Sequence, residues 1–534
     1  MKIFTLCRPY LLSHKYTLTA YVLIILISTA IAVFTPYIIG GFIDSLVEGA
    51  DVHVILRFCF IFGGLSLVRI IKGYIIAILN IKMQTKMGYS LNRDTIRHIQ
   101  SLSLSYANKQ DNAYLNQRVN HDSNSLIGFC ITVLQSVITN AIILIATLAI
   151  LFTMNWVVAL LMMVFLMVYA MSYFAFKKPL YNAGLAFREA QAGFFSKLFE
   201  QLKYIRLIKI NSIQPEMNRR ADDSFVDFNN ATVRNQKVNY LYTGLDGIIS
   251  TIAQVVLFVV GGLQILAGNF TIGMFTVFTS YFNMMMGASR YFFTMGAAYQ
   301  STLVAYDRIK EIFGHVPENN GAEAINNIHE IELRNVNFSY DNSKRILTDF
   351  NEKFTKGNIY AIVGANGVGK STLISLLMGL YIDEYDGHVT YNGMDIHNIN
   401  IVTARKNLMG FAEQEPSLIS DSIGYNLIYS DNPRLDEYVE TLNMKDFISK
   451  HTLDFKINET NTNISGGEKQ KISILKVLCK NPAVMIFDEP TSALDTQTTE
   501  RFINHLQGIK KDKIIIVITH DEAVKRRCDK VVII

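Results

Sequence analysis

The stretch that decides the fold is Gly364-Ala365-Asn366-Gly367-Val368-Gly369-Lys370-Ser371-Thr372. Residues 360–363 before it predict a buried strand, and the apolar spacing of residues 373–378 predicts a helix. In such a strand–loop–helix unit, backbone N–H groups of the glycines and of the helix N-terminus wrap a phosphate chain. Lys370 can then reach the outer phosphates, and the Ser371 hydroxyl can bind Mg²⁺. The alternative, a glycine-rich turn in another α/β protein, is disfavoured by partners further along the chain.

Two buried strands downstream end in polar residues of the type that this loop needs. Residues 484–487 are apolar and lead into Asp488 and Glu489, and residues 515–518 lead towards His520. Ligands of open α/β sheets lie at the carboxyl ends of the strands. We therefore expect Asp488 to hold Mg²⁺ through water, Glu489 to polarise an attacking water, and His520 to touch a γ-phosphate.

A segment that contains a glycine pair, residues 464–470, lies between the loop and the acidic strand and opens a further helix. The ordered set resembles the nucleotide-binding domain of ABC ATPases over about residues 330–534. The resemblance implies that Tyr340 stacks on adenine, that Gln414 is the Q-loop ligand of Mg²⁺, and that His520 is the switch histidine. It also identifies residues 465–468 as the signature that closes on the ATP of the opposite subunit, and residues 492–495 as the D-loop.

The predicted site comprises three sets of residues. The ATP-binding set is Tyr340, Gly364, Ala365, Asn366, Gly367, Val368, Gly369, Lys370, Ser371, Thr372, Gln414, Ser465, Gly466, Gly467 and Glu468. The Mg²⁺ set is Ser371, Gln414 and Asp488, and the catalytic set is Glu489 and His520.

Two features depart from the pattern of the family. The signature begins with Ile464 instead of the usual leucine, and Glu468 stands where glutamine is commonest. The sequence also stops within a predicted strand, residues 530–534, where family members usually continue. Because the serine and both glycines of the signature remain, we expect the site to function.

The composition indicates membrane segments. Half of the 534 residues are hydrophobic and 18% are charged, against about 25% in soluble domains. The net charge of +5 fits cytoplasmic loops beside anionic lipid better than a nucleic-acid surface. The five cysteines are scattered without metal or disulfide spacing, which predicts reduced packing residues.

Six apolar runs are long enough to span a bilayer. They lie near residues 16–46, 54–80, 125–153, 157–176, 240–267 and 270–300. Three connections are short and lack Lys and Arg, whereas residues 81–124 and 177–239 are long and basic. The positive-inside rule then places the long loops and both termini in the cytoplasm, which predicts a multi-pass protein of the cell (cytoplasmic or inner) membrane.

The long loops keep helical spacing, which predicts cytosolic extensions of the membrane helices. Residues 108–115 and 199–206 resemble the coupling helices of ABC exporters, with a solvated helical hairpin as the alternative. The fold class is therefore multidomain, with an all-α polytopic membrane domain and an α/β ATPase domain. The predicted boundaries are an interfacial elbow helix (1–15), the membrane domain (16–310), a linker (311–329) and a short ATPase domain (330–534).

Charges within the predicted spans are functional candidates. Asp246 and Arg290 each lie 22 residues from the turn at Gly268, about 30 Å inward. They can pair or line the inner vestibule, or they can face water near the cytoplasmic end. Arg69 and Lys72 would make the central cavity of the membrane domain partly cationic if they face it. The sixth run is rich in Met and aromatic residues, which suits either bulky cargo or helix packing.

The resemblance implies a half-transporter that must dimerise, because an ABC site needs the loop of one subunit and the signature of another. A homodimer is the simplest arrangement, and a heterodimer stays open. We expect ATP-driven export of an amphipathic peptide of the antimicrobial-peptide type, with hydrophobic drugs or lipids as the alternative cargo. A channel or regulator is a third reading. We expect no leader-peptidase domain and no nucleic-acid partner.

Overall fold

The computed structural model describes residues 2–534 except Asp111, 341–344, Tyr429, 459–462 and Ala493. For residues 112–114, 293, 294 and 297 it describes the backbone alone. The chain forms two compact units. The first comprises residues 1–97 and 112–314, and the second comprises residues 98–111 and 315–534.

The first unit is helical. Its helices are α1 (Lys2–Ser13), α2 (Lys15–Val47), α3 (Val52–Ser101, whose last residues belong to the second unit), α5 (Asn112–Gln117), a π-helix (Arg118–Asp122), α6 (Ser123–Met154), α7 (Trp156–Lys203), α8 (Ile205–Asn211), α9 (Gln214–Leu266) and α10 (Ile272–Gly314). The remaining helix of this stretch, α4 (Leu104–Lys109), belongs to the second unit.

Within the described residues, five helices are long and apolar enough to cross a membrane, namely α2, α3, the α5–α6 segment from Leu115, α7 and α9. The sixth predicted span, residues 270–300, lies largely in α10, which is not among the five. Its Met and aromatic residues alternate with Thr, Ser and Asn, and these polar residues lower its mean hydropathy. The long helices run beyond the predicted spans, as expected for extensions out of the membrane.

Helices α2, α6 and α10 pack together, and α7 runs along α9. Close approach of α2 and α10 depends on Gly40 and Gly273, because a Cβ on Gly273 would lie 2.1 Å from the Gly40 carbonyl oxygen. Asp44 of α2 fixes the same contact by accepting hydrogen bonds from the Gly273 N–H at 2.6 Å and from the Thr271 hydroxyl at 2.7 Å. The side chain of Asp44 on α2 therefore caps the N-terminus of α10.

The second unit is α/β. Its strands are β1 (Glu330–Phe338), β2 (Leu347–Thr355), β3 (Asn358–Val363), β4 (Tyr385–Tyr391), β5 (Met394–Asp395), β6 (Met409–Ala412), β7 (Val484–Asp488), β8 (Ile514–Ile518) and β9 (Lys530–Ile533). Its further helices are α11 (Lys370–Leu377), α12 (Ile401–Leu408), α13 (Ile423–Leu427), α14 (Leu435–Thr441), α15 (Lys445–His451), α16 (Gly466–Lys480), α17 (Thr496–Ile509), α18 (Glu522–Lys525) and two 3₁₀ turns (Ile396–Asn398 and Lys510–Asp512).

Two sheets organise this unit. The antiparallel sheet has the order β2-β1-β4-β5, and the parallel sheet has the order β6-β7-β8-β3-β9. The parallel sheet has an apolar core on each face, which explains why all five residues of β8 are buried and apolar. Its register pairs Ile362 of β3 and Asp488 of β7 with Ile518 of β8. The carboxyl ends of three neighbouring strands therefore meet at one edge.

The observed compact units and helix ends differ from the predicted domain boundaries at two places. Residues 98–111 belong to the ATPase unit instead of the membrane domain, because Leu104 of α4 packs against the ATPase core and the Ser101 carbonyl accepts a 2.7 Å hydrogen bond from the Glu318 N–H. Helix α10 ends at Gly314, so the first residues assigned to the linker are helical. The two segments predicted as coupling helices, residues 108–115 and 199–206, contain the observed ends of α4 at Lys109 and of α7 at Lys203. Asp111 lies outside the described residues.

Candidate active site

The loop of residues 364–369 connects β3 to α11 at the edge where the parallel strands end. Gly367 and Gly369 have positive φ angles of 77° and 121°, which a residue with a side chain rarely adopts. A Cβ on Gly369 would also approach the Ile346 side chain to 2.7 Å. The glycines of the sequence pattern are therefore required by the backbone path that turns N–H groups inward.

Lys370 begins α11 and folds back over this loop. Its Nζ donates to the carbonyl oxygens of Gly364 at 2.8 Å and Ala365 at 3.2 Å, and it lies 3.2 Å from His520 Nε2. The ammonium group thus stands at the concave side of the loop, beside the residue that follows β8. Ser371 is exposed next to it, and Thr372 is buried.

Glu489 lies at the centre of the predicted catalytic set. Its Oε2 accepts a 2.6 Å hydrogen bond from Gln414 Nε2, and its Oε1 lies 3.6 Å from His520 Nε2. Its backbone N–H donates to the Ile518 carbonyl at 3.1 Å, and its own carbonyl accepts from Gln470 Nε2 at 2.8 Å. Lysine, histidine, glutamate and glutamine, which are distant in sequence, therefore form one continuous polar network.

Gln470 was missed by the sequence reasoning. It is buried on α16, two residues after the signature, and it also contacts the hydroxyl of Ser492 at 3.1 Å. No signal in the sequence distinguished it, because α16 is amphipathic and Gln470 stands between Lys469 and Lys471. Gln470 fixes the backbone of Glu489, so the signature helix and the acidic strand are mechanically joined.

The pKa of the Asp488 carboxyl is raised to about 6, chiefly by burial and then by the negative charge of Glu489, while Lys370 opposes the rise. A crowded set of carboxylates beside a phosphate loop suits a divalent cation. Within the described parts of the chain, no group of three or more His, Cys, Asp and Glu side chains can hold a metal ion by itself. The donor set therefore fits Mg²⁺ that is shared with phosphate oxygens.

Tyr340 follows β1 and is 42% exposed. Its hydroxyl lies 2.9 Å from the Thr372 hydroxyl on α11, and its ring lies edge-on to Phe338 at 4.9 Å. The exposed ring is thus anchored to the helix that follows the phosphate loop. This placement suits a flat platform for a base.

The signature forms a capping box at the start of α16. Ser465 Oγ accepts from the Glu468 N–H at 3.3 Å, and Glu468 Oε2 accepts from the Ser465 N–H at 2.7 Å. Either Glu or Gln can serve at that position, so the observed departure from glutamine preserves the cap. Ile464 is buried, and Gly466 has open space around its Cα, which leaves this face accessible.

The D-loop stretch leads into α17. Asp495 is the N-cap of that helix and accepts a 2.7 Å hydrogen bond from the Thr498 N–H. Ser492 bonds to Gln470 as described above, and Ala493 lies outside the described residues. The D-loop is therefore attached to the signature helix at Ser492 and to α17 at Asp495.

Within the helical unit, Asp246 of α9 and Arg290 of α10 form an ion pair with a 2.6 Å N–O distance. The carboxylate is 10% exposed and the guanidinium 48%, and Asp246 Oδ1 has no hydrogen-bond partner among the described residues. The hydroxyls of Tyr169 and Tyr242 lie 3.3 Å apart on the neighbouring helices. The two charges at matching depth thus interact directly in the same chain.

Other membrane candidates are placed differently. Lys72 is buried and donates to the Ser28 carbonyl of α2 at 3.1 Å, whereas Arg69 is exposed. Five of the Met and aromatic side chains on α10 pack inside the bundle: Phe278, Tyr281, Phe282, Met285 and Met286. Within one chain, this face of α10 is therefore a packing surface.

Comparison with known proteins gives one consistent picture. A family model described as the ABC transporter transmembrane region matches residues 18–289, just over half of the 534 residues, and a model described as ABC transporter matches residues 347–492. An ABC transporter B family member 1 from Dictyostelium discoideum is 28% identical over 83% of this chain, and the match spans 50% of that protein.

An ATP-dependent lipid A-core flippase from Syntrophus aciditrophicus is 25% identical, over 88% of this chain and 80% of that protein. A solved structure of a bacterial Atm1-family ABC exporter with ATP bound has the same fold, with a TM-score of 0.84 at 20% identity, covering 97% of this chain and 94% of that chain. The chain therefore belongs to the ABC transporter family, with a multi-pass membrane domain and an ABC ATPase domain in one chain.

Proposed function

We propose that this chain exports an amphipathic cargo across the bacterial cytoplasmic membrane, driven by ATP hydrolysis at a site built around Lys370, Glu489, His520 and Gln414. The observation that carries the proposal is the continuous network among these four side chains at the carboxyl ends of the parallel strands. An intact carboxylate next to a phosphate loop distinguishes a hydrolytic site from one that only binds nucleotide.

In this mechanism Lys370 binds the β- and γ-phosphates, and the N–H groups of residues 364–369 enclose the chain. Glu489 Oε2 stays on Gln414, so Oε1 is the oxygen that takes the proton from the attacking water. His520, which lies beside Lys370 and Glu489, orients the γ-phosphate. Ser371, Gln414 and Asp488 would hold Mg²⁺, which supplies charge neutralisation of the phosphates when it is bound.

We infer a dimer, because Ser465–Glu468 is expected to complete the ATP site of a second subunit. The open space at Gly466 supports this, since a phosphate or ribose can approach its backbone. A homodimer is the simplest form, and it has two competent sites. Both termini and the ATPase lie in the cytoplasm in this proposal, as the distribution of basic residues favours.

The cargo that we propose first is an amphipathic peptide of the antimicrobial-peptide type. The half-exposed guanidinium of Arg290 at membrane depth supports a cargo that combines apolar surface with a charged group. The Met and aromatic face of α10 packs inside the bundle, so it does not support a peptide as the cargo. A lipid is the second candidate, favoured by the similarity to a protein named as a lipid A-core flippase.

The test measures ATP hydrolysis by the purified full-length protein in lipid vesicles, with separate panels of peptides, drugs and lipids. Stimulation by amphipathic peptides, absent in Glu489→Gln, is the expected result. Stimulation by lipids alone would transfer the assignment to a flippase. Hydrolysis that no compound changes would favour the channel or regulator reading, and lack of any hydrolysis would contradict the ATPase assignment.

A further inference from the structure

We propose that Tyr381 is a positioning residue that links the adenine-facing Tyr340 to residues 98–111, so that the base of bound ATP influences helix α4. This inference rests on the proposed ATP site and goes beyond it, since it assigns a role to two residues outside the site. The residues that carry it are Tyr340, Tyr381 and Asn108, all within the second unit.

Three aromatic rings connect the exposed platform to the core. The Tyr381 ring lies 5.7 Å from the Tyr340 ring at an interplanar angle of 81°, and 5.2 Å from the Phe338 ring. Tyr381 is 4% exposed, and Phe338 is buried beside it. Protein interiors are close-packed, so a shift of the Tyr340 ring requires the Tyr381 ring to adjust.

The hydroxyl of Tyr381 extends from this cluster to α4. It accepts a hydrogen bond from Asn108 Nδ2 at 3.4 Å. The segment is held at its other end by the Ser101–Glu318 backbone bond and by the Tyr106 ring, which lies 4.5 Å from the His315 ring. Asn108, near the carboxyl end of α4, therefore connects this helix to the aromatic cluster.

Stacking of a base on Tyr340 would restrict a ring that is now 42% exposed. The Thr372 contact fixes the Tyr340 hydroxyl, so the ring can respond mainly by tilting against Tyr381. Tilting changes the direction of the Tyr381 hydroxyl and thereby the geometry of its bond to Asn108. The base, as distinct from the phosphates, thus acts on the segment that follows the second long helix.

The experiment compares amide hydrogen exchange in residues 104–109 with Mg²⁺–ATP and with Mg²⁺–triphosphate, which lacks the base. Full-length protein in lipid nanodiscs carries Glu489→Gln to prevent turnover. We expect ATP to slow exchange about fivefold more than triphosphate does, the scale of one hydrogen bond. Tyr381→Phe and Asn108→Ala should each reduce that difference to about twofold or less, while equilibrium binding shows that ATP is still bound.

Tyr385→Phe is the matched control, because it removes a nearby buried hydroxyl that has no hydrogen-bond partner among the described residues. It should retain the full difference between the two ligands. An undiminished difference in both Tyr381→Phe and Asn108→Ala, or equal responses to ATP and triphosphate in the parent protein, would overturn the link while leaving the ATP site intact. Absence of ATP binding in the parent protein would instead refute the site itself, and the link with it.

Discussion

Removal of Arg290 should destabilise the membrane unit more than removal of its partner Asp246. Arg290→Gln leaves a carboxylate that is 10% exposed and whose Oδ1 already lacks a partner. Breaking a buried pair in this way costs about 3–5 kcal/mol. The Asp246 carboxylate can instead take up a proton, which sets an upper limit on the loss of stability. Protonating an ordinary aspartate at pH 7 costs about 4 kcal/mol. We therefore expect a loss of about 3–4 kcal/mol.

Asp246→Asn should cost less, because the guanidinium that remains is 48% exposed and also hydrogen-bonds to Tyr169. A loss of about 1 kcal/mol corresponds to one hydrogen bond. Two neutral amides in the double variant can still bond to each other. The double variant should therefore lose about 2 kcal/mol, well below the sum of the single losses.

The assay is equilibrium unfolding of each variant in mixed micelles, followed by circular dichroism, with transport measured in vesicles. The control pair is Arg434 and Glu437 on the ATPase surface, whose side chains are 46% and 49% exposed. Neutralising that pair should change stability by less than about 1 kcal/mol. Equal losses for the two single variants of the membrane pair, or additive losses in the double variant, would refute the reasoning.

Four further outcomes are expected. Glu489→Gln should slow hydrolysis about 10²–10⁴-fold while ATP still binds, and normal turnover would exclude Glu489 as the base. Lys370→Ala should weaken ATP binding itself in a direct titration. Gly273→Ala should destabilise the helical unit by about 1–3 kcal/mol, whereas Gly262→Ala, with open space around it, should not. Because the pKa of Asp488 is raised to about 6, Mg²⁺-dependent ATP binding should weaken about tenfold per pH unit below pH 6 and level off above it, relative to Asp488→Asn.

The phosphate loop was predictable because its chemistry is contiguous in sequence. Nine neighbouring residues specify a strand end, a left-handed turn and a helix start, and the structure has all three. The acidic strand and the histidine strand were predictable for a related reason. A continuous apolar run fixes a buried parallel strand, and the polar residue after it must then lie at the ligand edge.

Hydrogen-bond and ion-pair partners that depend on the tertiary fold could not be predicted from the sequence. Gln470 looked like any polar residue of an amphipathic helix, and its bond to Glu489 depends on how α16 packs against the parallel sheet. The assignment of residues 98–111 to the ATPase unit depends likewise on contacts with residues more than 200 positions away. Sequence spacing gave the depths of Asp246 and Arg290, while their 2.6 Å separation depends on the rotation of α9 and α10.

Glu489 was predicted from the sequence, but its backbone conformation depends on contacts made by the tertiary fold. Its φ angle is 45°, in the left-handed region that costs a residue with a side chain about 1–2 kcal/mol. Two backbone bonds, to Ile518 and Gln470, and one side-chain bond, to Gln414, hold it there. Strain that several independent contacts maintain is typical of functional positions. These contacts hold the Glu489 carboxylate 3.6 Å from His520 Nε2. We therefore expect Gln470→Ala to slow hydrolysis even though Gln470 touches no predicted ligand.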